Sequence, residues 1–297
     1  MTPTPLISVI TVCYNIKDEI ERTCQSIISQ TAHNFEWIVI DGGSTDGTVE
    51  ILNKYKDKIT LFISEKDSGI YNAMNKGIKK ASGDWLLFLN GGDCFAGTDI
   101  IEKFIALNGV YQYADIIYGD VNLINLDGTK KIKKYAYPLT KAYFFSSTLN
   151  HQSVFIKRDL FEKYGLYNED YKIISDWEKW IVFIINNCKF MKWEYVISDF
   201  YTGGISSKKL SLLNQEINDV NQKYFIAGDL EGHFYQGKKY GLLFNKIPLF
   251  YIKKKTNPFS LTLKLFNFIP IYAIKKKNNV YVHYLFAFIP FFSMRDK

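Results

Sequence analysis

Four short stretches put polar or side-chain-free residues directly behind apolar runs. "LISVITVCYN" ends on Cys13, Tyr14 and Asn15. "FEWIVIDGGSTDGT" closes its run on Asp41, Gly42 and Gly43. "ITLFISEKDSG" leads to Glu65, Asp67 and Gly69, and "DWLLFLNGGD" to Asn90, Gly91, Gly92 and Asp93. One Asp or Asn in such a place is as readily a helix cap as a ligand contact. Four of them favour a polar-ligand site, because ligands of open parallel sheets collect beyond the C-terminal strand ends. Further on, "NHQS" offers His151, and "ISDWEKW" offers Asp176 and Glu178. Carboxylates such as these two accept protons from hydroxyls that become nucleophiles.

The elements that carry these residues follow from pattern. The run 6–14 is continuously apolar and β-rich, as a strand buried on both faces should be. "KDEIERTCQSIISQT" spaces Ile20, Cys24, Ile27 and Ile28 helically and has acids in its first turn. Strands follow at 35–41, 59–65 and 84–90, separated by the helices "TVEILNKYK" and "GIYNAMNKGIKKASG". Ser44 or Asp46 can cap the former helix, and Asp67 the latter. This alternation predicts a parallel α/β sheet with right-handed crossovers. The third quarter reads as further strands of a mixed sheet, around the turn "NLDGTK" and the helix "SDWEKWIVFIINN". Residues 208–235 read as a helical connector.

Composition narrows the class. The chain has 297 residues, 47% of them apolar, enough for one large core plus an appendage. Net charge is +7, but twelve Lys and Arg and a single acid fall in 236–297, so the rest of the chain is mildly acidic. That argues against a general nucleic-acid surface on the body. Cys13, Cys24, Cys94 and Cys188 lack disulfide or metal spacing, which predicts a reducing compartment. "MTPTPLISVI" has no basic leader region, and no run reaches the roughly 18 apolar residues of a spanning helix. The expected location is cytoplasmic.

In order and at their separations, "ISVITVCYN", "FEWIVIDGGSTDGT", "SEKDSGIYNAMNKGIKKASGDWLLFLNGGD", "NHQSVFI" and "ISDWEKW" resemble family-2 glycosyltransferases of GT-A fold. The nearest likeness is to bacterial enzymes of exopolysaccharide, capsule or O-antigen synthesis. It covers about residues 5–205, within a catalytic domain taken as 1–207. The resemblance implies an α/β GT-A mixed sheet flanked by helices. It also implies a nucleotide-sugar donor, Mn²⁺ or Mg²⁺, usually inversion, and a saccharide acceptor that is commonly polyprenyl-diphosphate-linked. By that resemblance Asp93 is the metal ligand, the survivor of a D-x-D-D pattern that reads Asn90-Gly91-Gly92-Asp93 here. Gly91 and Gly92 would give backbone and diphosphate room to approach. Asp176 matches the general base, with Glu178 the near alternative. Thr11, Tyr14 and Asn15 match the nucleoside end, with Asp41 as first acid of the family's D-D-G-S turn. The second acid is Gly42 here, which leaves UDP-, GDP- and dTDP-sugars all open. Asp67 and Asn72 fall near the ribose or base. His151 would touch the diphosphate or metal, or be structural. Trp177 and Trp180 could stack on a sugar or pack the core, and the glycines of "YTGGIS" (201–206) could close a loop over substrate.

The tail repeats itself. "LFNKIPLFYIKKK", "LFNFIPIYAIKKK" and "LFAFIPFFSMRDK" share a Leu-Phe-x-x-Ile-Pro pattern ending in cations. Apolar and aromatic residues finished by lysines suit an anionic membrane interface, and each proline excludes a long spanning helix. The expectation is a membrane-associating region over 236–297. Packing on the protein itself and oligomerisation are the alternatives. Two rival functions stand beside this one: a degenerate nucleotide- or membrane-binding scaffold, to which the lost acids at Asn90 and Gly92 lend weight, and a nucleotidyltransferase. "CYNIKDEIERT" lacks the glycine- and basic-rich loop the latter requires.

Overall fold

In the computed structural model the described residues are 6–107, 113–204 and 209–225, together with the backbone of six strands between 238 and 295. Contacts divide the chain into two units, Met1–Ile217 and Asn218–Lys297.

The first unit is built on a nine-stranded mixed sheet, in the order β3-β2-β1-β4-β8-β6-β9-β5, with β7 beside β6. Strands β1 (Ile7–Cys13), β2 (Phe35–Asp41), β3 (Leu61–Ser64) and β4 (Trp85–Phe88) form the parallel half. Every residue of β1 is buried, which is why the run does not alternate. Helices α1 (Lys17–Ile28), α2 (Thr48–Asn53) and α3 (Ile70–Lys80) are the crossovers. α3 lies close on the sheet because residue 77 has no side chain. A Cβ there would come 2.5 Å from Ile10 Cγ2.

The other half inserts later strands out of sequence order. β6 (Ile116–Ile124) runs parallel to β9 (Phe190–Tyr201), and β8 (Val154–Lys157) runs antiparallel between β4 and β6. β5 (Cys94–Phe95) pairs antiparallel with the end of β9, and β7 (Lys130–Lys133) pairs with β6. Helices α4 (Ile100–Ala106), α5 (Lys141–Phe144), α6 (Asp159–Tyr164) and α7 (Ser175–Ile185) complete the unit, and α8 (Leu210–Tyr224) runs into the second. Trp37, Phe155 and Ile197 belong to one buried cluster beneath the sheet. The four cysteines are free and buried.

The second unit holds a six-stranded antiparallel meander. Its strands are β10 (Lys238–Leu243), β11 (Ile247–Thr256), β12 (Phe259–Leu265), β13 (Ile269–Lys277), β14 (Val280–Leu285) and β15 (Ile289–Arg295). Each Ile-Pro pair of the repeat starts an odd-numbered strand from β11 on. Register shifts recur in the β10–β11, β12–β13 and β14–β15 hairpins, at Gly241/Leu242, Leu263/Lys264 and His283/Tyr284. The sequence repeat is therefore a backbone repeat, with one bulge in each of these three hairpins and none in β11–β12 or β13–β14. No helix among the described residues is long and apolar enough to cross a membrane.

Candidate functional site

The strand ends of the parallel half open into a cleft of about 1620 Å³. That exceeds the roughly 300–1,000 Å³ of a single small-molecule site, so it has room for two substrates. Tyr14, Asp67, Gly91, Gly92, Asp93, His151 and Asp176 line it.

The turn after β4 fixes the first carboxylate. The β1–β4 pairing continues past the strand, with Gly91 N–H donating to Val12 O at 2.9 Å. Asp93 N–H donates to Asn90 O at 3.0 Å and closes the turn. Gly92 needs its glycine for φ +101°. Its N–H donates to Thr23 Oγ1 at 2.8 Å, and that hydroxyl donates to Asp93 O at 2.8 Å. A Cβ on Gly91 would lie 2.2 Å from Ile16 Cδ1 and 3.0 Å from Cys13 Cβ. Both glycines thus have reasons inside the protein, a turn and a close packing, beside the clearance for a diphosphate that the resemblance implies.

Asp93 Oδ1 accepts from Tyr201 N–H at 3.1 Å. No ion pair to Asp93 occurs among the described residues. Burial pushes its carboxyl up to about 7, against the opposing pull of His151 and Arg22. A buried carboxylate without an ion-pair partner among the described residues fits a hard cation. Among the described residues no cluster of three or more His, Cys, Asp or Glu could hold a metal. A cation at Asp93 would therefore need oxygens from a substrate as well. Arg22 stands beside this carboxylate on α1 and lines the cleft. Its Nε donates to Gly92 O at 2.7 Å, and its guanidinium lies 4.0 Å over the Tyr201 ring.

Across the cleft, Asp176 opens α7. Its Oδ1 accepts from Trp177 N–H at 2.9 Å and lies 3.0 Å from Tyr71 Oη, while Oδ2 lies 3.1 Å from His151 Nδ1. His151 Nε2 is 2.8 Å from Asn90 Nδ2. With Asn90 donating, Nε2 accepts, and the ring hydrogen sits on Nδ1, facing Asp176. His151 thus bridges the "NGGD" turn to the second carboxylate. The segment before Asp176 is anchored on α3. Asn75 pairs with Tyr167 N–H and C=O, and the Glu169 carboxylate accepts from both Asn72 and Asn75, which holds its carboxyl below the usual range.

Several expected contacts lie elsewhere. Thr11 is fully buried, accepts from Trp37 Nε1 at 3.0 Å and does not line the cleft. It sits in the strand core, behind the strand end where a nucleotide contact was expected. Asp41 is likewise fully buried; its carboxylate accepts from Gly43 N, Ser44 N, Ser44 Oγ and Ser64 Oγ. It organises the turn and has no face on the cleft. Asn15 (φ +50°) accepts from Thr45 N–H and donates its own N–H to Ser44, so it ties two loops together. Asn72 is spent on Glu169. None of these lines the cleft. Trp180 is core, donating to Leu149 O. Trp177 donates to Phe144 O and is buried at the cleft wall. Glu178 is buried and is not part of the cleft wall. In "YTGGIS", Tyr201, Thr202, Gly203 and Gly204 line the cleft, and 205–206 lie outside the described residues.

At residue 42 a Cβ would lie 2.7 Å from Asp67 Oδ2 and 3.2 Å from Tyr14 Cδ2. A side chain at 42 would meet the Asp67 carboxylate, which as placed occupies that space and would have to turn away. Asn90, noted above only as a polar strand end, takes part through its bond to His151. Tyr71, Arg22, Thr23 and Tyr201 also belong to the site and were not singled out in the sequence; Tyr71 and Tyr201 lie inside the quoted motifs, whereas Arg22 and Thr23 show only as helical residues.

The sequence profile of "Glycosyl transferase family 2" matches residues 8–171. A PGL/p-HBAD biosynthesis glycosyltransferase of Mycobacterium bovis is 31% identical over 208 residues, covering 68% of this chain and 80% of that protein. An uncharacterised glycosyltransferase of Mycobacterium tuberculosis is 32% identical over 242 residues, covering 79% and 91%. Staphylococcus aureus TarS 1–349 in complex with UDP-GlcNAc shares the fold at TM-score 0.60 and 17% identity, over 77% of this chain and 68% of that one. The mannosyltransferase PcManGT of Pyrobaculum calidifontis, solved with GDP-Man and Mn²⁺, does so at TM-score 0.56 and 15% identity, over 75% and 64%. With its GT-A mixed sheet and the profile match over more than half its length, the chain belongs to glycosyl transferase family 2.

Proposed function

We propose that this glycosyltransferase moves a hexose, with inversion, from a nucleotide sugar to a lipid-linked saccharide acceptor in surface polysaccharide or glycolipid synthesis. The observation that carries the reading is one cleft with two carboxylates in different states. Asp93 is buried and its carboxyl is pushed up by that burial, and Asp176 is held by donors on both oxygens.

Asp93 would hold Mn²⁺ or Mg²⁺, which when bound supplies charge neutralisation for the departing diphosphate. Arg22 adds a fixed cation beside it, stacked on Tyr201 and so pre-placed for a phosphate oxygen. Tyr14, 60% exposed at the rim, and Asp67 take the nucleoside end. Because Asp67 occupies the space of the missing acid at 42, we assign base recognition to it, with UDP, GDP and dTDP donors as the candidates. The UDP-GlcNAc and GDP-Man carried by the two structural neighbours lend support to a nucleotide-sugar donor. Asp176 takes the proton of the acceptor hydroxyl as that oxygen attacks, and His151 Nδ1–H holds the carboxylate in place.

The tail supports work at an anionic membrane, on the inner face. Lys253, Lys275 and Arg295 stand six residues beyond Ile247, Ile269 and Ile289 in three strands that run the same way. These positions therefore fall toward one end of the sheet, with Lys238 paired to Lys253. A basic end of this kind suits anionic headgroups.

The test is Asp176→Asn beside Asp93→Ala, assayed for release of nucleoside diphosphate from UDP-GlcNAc, GDP-mannose and dTDP-rhamnose. The reading expects the first to bind nucleotide with Mn²⁺ and not turn over, and the second to do neither. Normal turnover by Asp176→Asn would remove the base.

A further inference from the structure

Tyr71 faces two acceptors with one hydrogen. Its Oη lies 2.7 Å from the Ile173 carbonyl oxygen and 3.0 Å from Asp176 Oδ1. A phenol carries a single hydrogen, so it donates to one of them at a time. The ring is fixed. It is buried in the first turn of α3 and packs on Tyr167 at 5.5 Å between centroids. Burial first, then the charge of Asp176, holds the phenol well above its usual range, so it stays a donor. The second acceptor is fixed too, because Lys172 N–H and Ile173 N–H both donate to the Glu216 carboxylate, at 2.8 and 3.0 Å.

A carboxylate has about four acceptor sites. On Asp176, Trp177 N–H and Tyr71 meet Oδ1, and His151 meets Oδ2. The site that remains is on Oδ2. We propose that Tyr71 is a positioning residue for the base: its hydrogen rests on Asp176 while that carboxylate is anionic and passes to the Ile173 carbonyl when the carboxylate is protonated. This rests on the reading of Asp176 as the base. In the transfer step the acceptor oxygen bonds to the anomeric carbon. The bond from that carbon to the diphosphate oxygen breaks, and its electron pair leaves with the nucleoside diphosphate. The acceptor proton goes to Asp176 Oδ2. Oδ1 is then the weaker acceptor, and rotation of one O–H re-pairs Tyr71 with Ile173. No heavy atom moves, and no buried hydroxyl is left without a partner at either stage. The titratable and charged groups around Asp176 are His151 from the 151–153 turn, Tyr71 from α3, Lys133 from β7 and Tyr167 after α6.

The experiment places 3-fluorotyrosine at 71 in the full chain and follows its ¹⁹F resonance against pH, in otherwise wild-type protein and with Asp176→Asn. The proposal expects one titration step that Asp176→Asn abolishes. A flat resonance over the folded pH range, or a step that persists in Asp176→Asn, overturns it. As a functional readout, Tyr71→Phe should move the acid limb of kcat/KM for nucleoside diphosphate release upward by roughly one pH unit, about a tenfold loss below the limb. Nucleotide binding should be unchanged. A loss of equal size at every pH would mark a structural role only and would also overturn the proposal. Asp176→Asn with wild-type turnover would instead remove the base reading beneath it.

Discussion

Gly91→Ala separates the two reasons for a glycine behind β4. If the position is empty so that a diphosphate can approach, alanine should spare stability and weaken nucleotide binding. The packing says otherwise. The new methyl would sit 2.2 Å from Ile16 Cδ1, 3.0 Å from Cys13 Cβ and 3.2 Å from Ile20 Cδ1. Retreat is limited, since Gly91 N–H is bonded to Val12 O at 2.9 Å and Ile16 N–H to Thr48 Oγ1 at 2.9 Å. Overpacking a fixed site of this kind costs about 1–3 kcal/mol. For a body of this size that is a fall in Tm of about 2–12 °C. Ile16→Val deletes the atom that clashes most, so the double variant should recover part of the loss, with a coupling on the order of 1 kcal/mol. Thermal melting of the four proteins reads the coupling, and calorimetric titration with nucleoside diphosphate and Mn²⁺ reads the site. A Gly91→Ala protein that melts with wild type yet binds no nucleotide would refute the packing argument. So would a double variant no better than Gly91→Ala.

Burial raises Asp93 from 3.8 to about 7. The folded protein then keeps a proton between about pH 4 and 7 that the unfolded chain releases, so stability without ligand falls as pH rises through that window. Roughly three units at about 1.4 kcal/mol each give an upper bound of about 4 kcal/mol. Asp93→Asn should flatten this slope in a Tm-versus-pH series, and an unchanged slope would count against an uncompensated carboxylate. Arg22→Gln should weaken nucleoside diphosphate binding roughly tenfold while leaving nucleoside binding alone, with Arg22→Lys in between because it loses the planar fork; equal affinities for all three would remove Arg22 from the site. Replacing the lysines at 253–255 and 275–277 with Gln should release the full chain from anionic vesicles in flotation, whereas neutral vesicles should bind neither protein. Unchanged flotation would refute the membrane role of the tail.

The parallel half was legible because its signals are local. A strand buried on both faces reads as an unbroken apolar run, and α1 to α3 show their faces at helical spacing. The order of the later strands was not legible, because β8 enters between β4 and β6 by long-range pairing that no local residue encodes. The same distinction governs the site. Asp93, Asp176, Asp67, Tyr14 and His151 stand in motifs or at strand ends and do meet in one cleft. Thr11 and Asp41 stand at similar places, and what excludes them is the hydrogen bonding of their neighbours: Trp37 for one, a saturated turn for the other. Arg22 carries no motif, and Tyr71 lies in one without any local mark of its role. Each is placed by which face of a helix meets the turn or the base, and that depends on packing.

The most direct test of the central claim is nucleotide binding by calorimetry, with UDP, GDP and dTDP each titrated with and without Mn²⁺ into wild type and Asp93→Ala. The account predicts one nucleoside diphosphate bound tightly by wild type with metal, weakly without it, and weakly by Asp93→Ala in either case. Equal affinity with and without Mn²⁺, or full metal-dependent binding by Asp93→Ala, would contradict it.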